Sequence, residues 1–144
     1  MDEKRVQRII KAQRADWFKI TVPNIYYYAW ESDLIGIMKD NTIVEFEIKC
    51  SKWDYQYDFE KIEKHNCFRY SKNLDQIPNA FYYVVLEKFA HDIEVPDYAG
   101  LIIVQMASFN YYLITKKKAP LLHKETIDPL AWERLAIKLY NKCK

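Results

Sequence analysis

The chain has 144 residues, half of them apolar, with 29% charged residues and a formal net charge of +2. That length suits one ordinary domain with its own core, so residues 1–144 are read as a single domain. The balance excludes disorder and low complexity, and so small a net charge does not by itself announce a nucleic-acid binder. Cys50, Cys67 and Cys143 fit neither a disulfide framework nor paired zinc spacing. The charged start "MDEKRVQRII" is unlike a secretory segment, and no stretch approaches the roughly 20 apolar residues of a membrane span. The expectation is a cytoplasmic protein with reduced thiols.

In chain order, Val6, Ile9, Ile10, Ala12 and Trp17 recur at spacings near three and four among basic residues, which predicts an amphipathic helix from Asp2 to about Phe18, stopped by Pro23 and Asn24. "IYYYAWESDLIGIM" (25–38) and "IVEFEIKC" (43–50), joined by the turn residues "KDNT", predict a hairpin. Ser51 or Asp54 can cap a helix that runs to about Tyr70 with Tyr55, Phe59, Ile62 and Asn66 or Cys67 on one side. Three short apolar runs follow as strands at 79–87, 101–105 and 110–115. Asp128 before Pro129 then opens a terminal helix with Leu130, Trp132, Leu135, Ile137 and Leu139. This order predicts a mixed α/β domain.

The strand "VEFEIKC" alternates Val44, Phe46 and Ile48 with Glu45, Glu47 and Lys49. Acid-x-Lys occurs twice, at Asp2-Glu3-Lys4 and Glu47-Ile48-Lys49, and only the second lies in a β pattern. Strand residues two apart share a face about 6.6 Å apart, so Glu47 projects with Lys49, and Glu31 with Asp33. A hairpin sets such faces side by side. Two adjacent carboxylates repel, and a hard divalent cation such as Mg²⁺ relieves the conflict, with the lysine placed to stabilise charge developing on a phosphate. The competing reading makes Glu45, Glu47 and Lys49 the wet face of an antiparallel strand.

The run "SDLIGI…NTIVEFEIKCSKWDYQYDFEKIEKHNCFRY", with "NAFYYVVLE", "VPDYAGLIIV" and "KKKAPLLHK" after it, resembles the PD-(D/E)xK nuclease superfamily, and within it the MmcB-like DNA repair branch, over roughly residues 30 to 124. The resemblance implies a restriction-endonuclease-like fold, a mixed central sheet flanked by helices. It also implies that Asp33 and Glu47, with the backbone carbonyl of Ile48, ligate Mg²⁺ or Mn²⁺, and that Lys49 is the catalytic lysine of a deoxyribonuclease in DNA repair or phage DNA processing. Implied partners are DNA, a repair protein and a second copy of the chain. Ser32 stands where the superfamily's name would put proline. Glu31 is an extra acid that either joins the metal or stays on the surface. Some relatives complete the site with an acid from the first helix, where Glu3 is the weakly placed candidate.

Lys61, Lys64 and His65 share neighbouring helical positions and either hold a substrate phosphate or form a solvated face. The histidines lack metal-ligand spacing, no serine sits in a nucleophile elbow, and two glycines leave no phosphate-cradling loop. Tyrosine doublets such as Tyr82-Tyr83 either stack on unpaired bases or pack in the fold. Two further functions stay open beside the deoxyribonuclease: a catalytically silent DNA-binding or accessory module with the same fold, and an RNA-directed nuclease.

Overall fold

The computed structural model describes residues 1–142; Cys143, one of the three expected free thiols, lies outside them. Helix α1 (Glu3–Gln13) is followed by strands β1 (Phe18–Ile25), β2 (Ser32–Met38) and β3 (Ile43–Lys49), helices α2 (Lys52–Asp58) and α3 (Ile62–Tyr70), strand β4 (Ala80–Leu86), the short helix α4 (Glu87–Ala90), strands β5 (Gly100–Ala107) and β6 (Asn110–Lys117), and helix α5 (Pro129–Lys142). The strands form one six-stranded sheet in sequence order. β1, β2 and β3 run antiparallel, β3, β4 and β5 run parallel, and β6 returns antiparallel to β5. The class is therefore α/β, a mixed sheet flanked by helices, as the sequence predicts.

Local chemistry explains the helix starts. Asp2 accepts from the Arg5 amide, Ser51 from the Asp54 amide and Asp128 from the Ala131 amide, each filling a donor that the first turn leaves orphaned. Three boundaries differ from the sequence reading. The first helix ends at Gln13, and Phe18–Ile25 is an edge strand, where Pro23 is tolerated. Residues 26–31 form a loop and not the opening of the hairpin. The helix expected from 54 to 70 breaks at 59–61 into α2 and α3, and its buried side is Tyr55, Asp58, Lys64, His65 and Phe68, while Ile62 is exposed.

Alternation divides the sheet into two faces. Val44, Phe46 and Leu34 share one with Gly36, whose added Cβ would fall 2.4 Å from the Phe18 ring; no larger residue fits under that aromatic. On the other face, β1 and β2 meet α5 through Val22, Ile25, Ile35, Ile37, Ile43, Ile127 and Leu135. The outer edge of β6 is covered by α1: Gln13 donates to the Tyr111 carbonyl and accepts from the Leu113 amide, and Arg14 donates to the Leu113 carbonyl. Those contacts close a backbone edge that would otherwise recruit another strand. Among the described residues no helix is long and apolar enough to cross a membrane.

Candidate functional site

β3 is buried along its whole length, so Glu45, Glu47 and Lys49 are not a wet face. Glu45 is 0% exposed and Glu47 2% exposed. Their strand has a neighbour on each side, and α2 and α3 bring Asp58, Lys64 and His65 over the face they share. Charge here is enclosed within the fold.

The β2–β3 ladder ends at the Leu34–Phe46 pair. Beyond that pair the strands part; carried one step further, the register would turn Asp33 toward Glu47 on the face that carries Ile35 and Glu45. There the Asp33 carboxylate replaces the missing backbone acceptor, and its Oδ2 takes the Ile48 amide at 2.8 Å. The N–H and C=O of one strand residue point to the same side, so the Ile48 carbonyl also faces Asp33. Gln7 of α1 donates to the Asp33 carbonyl at 2.8 Å, holding the strand end in place. Of the groups expected to converge, the structure brings the Asp33 carboxylate onto the Ile48 amide where the two strands part, and Lys49 onto Glu47.

Burial and the Glu47 carboxylate together push Asp33 up to about 8. Glu47 Oε1 lies 3.0 Å from Lys49 Nζ and 3.7 Å from Lys61 Nζ. Its Oε2 has no hydrogen-bond donor, although Lys64 Nζ is 3.5 Å away. Glu45 accepts from the Trp30 indole at 2.8 Å through one oxygen while the other is unpartnered, and burial raises it to about 7 against the pull of Lys64. Burial alone would lower Lys49, but the Glu47 and Asp58 charges outweigh it and keep the side chain an ammonium.

These observations suit a hard cation. The Asp33 carboxylate sits on the Ile48 amide in a poorly solvated recess, and burial with the nearby Glu47 charge raises its cost of ionisation. Among the described residues no three His, Cys, Asp or Glu side chains converge as a cage. Mg²⁺ is commonly held by one or two carboxylates, completed by water and substrate phosphate, so a pair of acids fits it.

The sequence did not mark Asp58 as a site residue, yet it is the centre of the cluster. It is fully buried at the end of α2. Its Oδ1 lies 3.3 Å from Lys49 Nζ, 3.3 Å from Lys61 Nζ and 3.1 Å from Lys64 Nζ; its Oδ2 lies 3.1 Å from His65 Nε2 and accepts from the Tyr83 hydroxyl at 2.5 Å. Burial would raise its pKa, but the His65 hydrogen bond, the Lys64 and Lys49 charges and the Tyr83 hydroxyl hold it well below the carboxylate range. Tyr83 is core and not an exposed stacking surface, and His65 is further anchored on the Tyr98 hydroxyl.

Of the other expected site residues, Lys61 is half-exposed at the mouth of the cluster, whereas Lys64 is 2% exposed and His65 is buried, both committed to Asp58. Glu31 stays exposed in the loop before β2. Glu3 bonds Gln7 and Asn24, and its charge adds to the rise in Asp33. That leaves Glu3 tied to Gln7, which also bonds the Asp33 carbonyl, at the start of β2.

No protein-family model matches the chain, and no curated protein does. Among solved structures the fold is similar to SPO1766, a protein of unknown function from Silicibacter pomeroyi, with a TM-score of 0.61 at 19% identity over 96% of this chain and 80% of that one. At that identity the likeness concerns the fold alone.

Proposed function

We propose that the protein is a PD-(D/E)xK-type nuclease that hydrolyses phosphodiester bonds of DNA with Mg²⁺ or Mn²⁺. The observation that supports the reading is the Asp33 carboxylate held by the Ile48 amide next to Glu47, whose charge it feels, with the Lys49 ammonium 3.0 Å from Glu47. Asp33, Glu47 and the Ile48 carbonyl would hold the ion. When bound, the ion polarises a phosphate oxygen and makes water a nucleophile near neutral pH. Lys49, charged and nearly dry, offers its N–H groups to oxygen charge that develops at phosphorus. Lys61, exposed at the mouth, meets the incoming phosphate. The choice of DNA rests on the resemblance in the motif run.

A second reading is favoured by one observation: Glu47 already has Lys49, Lys61 and Lys64 around it. In a silent accessory module those lysines would neutralise the acid in place of a metal. Incubation of purified protein with single-stranded, duplex and flapped DNA and with RNA, in Mg²⁺, Mn²⁺ or chelator, separates the readings. Cleavage of DNA that needs the metal and is lost in a folded Lys49→Ala variant is the expected result. Equal behaviour of the two proteins on every substrate supports the accessory module, and preferential cutting of RNA transfers the chemistry to the other nucleic acid.

A further inference from the structure

A lysine side chain has four rotatable bonds and about 2 kcal/mol of rotamer entropy, yet an ammonium that stabilises a transition state must be held within roughly 0.5 Å of its productive place. Glu47 alone cannot hold Lys49 so tightly if it also serves an ion. The second anchor in the structure is Asp58, whose Oδ1 lies 3.3 Å from Lys49 Nζ, beside the 3.0 Å contact with Glu47. Asp58 is itself fixed from two elements, by the Tyr83 hydroxyl on β4 and by His65 on α3. Lys64, buried beside the Phe81 and Tyr83 rings, bridges Asp58 and Glu47.

We propose that Asp58 is the positioning residue of the site: it gives the Lys49 ammonium a second carboxylate anchor besides Glu47 and so fixes where that ammonium sits. The assignment rests on the nuclease reading for its catalytic consequence, while the clamp itself is a property of the fold. α2 ends at Asp58, and from α3 Lys64 and His65, three and four residues beyond Lys61, both reach its carboxylate.

Two measurements on Asp58→Asn test the proposal: kcat and KM on DNA with Mn²⁺, and the ¹H–¹⁵N signals of the lysine ammonium groups without metal, with Lys49 assigned by the signal lost in Lys49→Ala. The expected result is a kcat lower by about 10- to 100-fold, the size of effect seen when supporting groups around a site are removed, with KM within about twofold. The slowly exchanging Lys49 ammonium signal is also lost. A purely structural Asp58 would alter stability and leave both readouts in place, and a folded Asp58→Asn with wild-type kcat overturns the proposal. If wild-type protein cuts nothing, the nuclease reading falls by itself and the ammonium signal decides: loss in the variant upholds the clamp, persistence overturns it. Should Asp58→Asn not fold, Asp58→Glu keeps the charge but displaces it. The same drop in kcat and loss of the Lys49 signal are then expected, and wild-type values for both overturn the proposal.

Discussion

One face of one sheet is filled in two opposite ways. Under α5 the strands β1 to β3 present Val22, Ile35, Ile37 and Ile43 to Ile127 and Leu135. Further along the same face, under α2 and α3, Glu45, Glu47 and Lys49 meet Asp58, Lys64 and His65. Ile35 and Glu45 are cross-strand partners, so the change of chemistry happens between neighbours. Burying an ion costs several kcal/mol even after relaxation, and apolar replacements of buried ion pairs are often neutral or stabilising. The apolar half is held by buried nonpolar surface, while the charged half depends on its ion pairs and carries the groups of the proposed site.

Substitutions can break or sharpen that division. The largest effect is expected for Glu47→Gln, which should lower metal-dependent cleavage by about 10²- to 10³-fold while circular dichroism reports an unchanged fold. An equal loss of folding would mean that the charged half is structural. Next, Ile35→Ala in the apolar half should cost about 2–5 kcal/mol in urea unfolding with kcat unchanged.

A smaller effect is expected from pH. Asp58 has a folded pKa depressed below its unfolded value, so its contribution is present above the ordinary carboxylate range and is lost as pH falls toward the folded value. Wild-type stability should therefore decline below about pH 4, and the decline should be shallower in Asp58→Asn; parallel acid limbs would contradict the clamp's energetics. The smallest change is expected for Glu45→Gln, which keeps an acceptor for Trp30 and removes a poorly solvated charge. Its melting temperature should move by the equivalent of about 1 kcal/mol or less, and a larger loss would show that the Glu45 charge is needed by Lys64.

The element order was legible where patterns are strong. β4, β5 and β6 read as apolar runs, and α5 from its Asp128–Pro129 start. β1 was missed although Phe18, Ile20 and Val22 alternate with Lys19 and Thr21, because the preceding helical spacing carried through to Phe18 and Pro23 looked like a stop. β spacing set Glu47 with Lys49 and Glu31 with Asp33 on strand faces but left a wet face open, and the choice of Asp33, Glu47 and Lys49 as a site came from the resemblance in the motif run. Asp58 was not legible. α3 buries Lys64 and His65 where hydrophobic periodicity looks for leucines, so the stripe drawn through Ile62 faced outward and the partners of Asp58 looked like a solvated surface. The signal that could have found it is the run Asp58, Lys61, Lys64, His65, an acid followed by bases at helical spacings directly after the strand that ends in Lys49.

Mn²⁺ binding followed by electron paramagnetic resonance tests most directly whether Asp33 and Glu47 grip a single divalent cation. Wild-type protein is expected to bind one Mn²⁺ saturably and to release it to excess Mg²⁺, with the binding abolished in both Asp33→Asn and Glu47→Gln. Undiminished binding in either folded variant, or none in the wild type even with DNA present, would contradict the account.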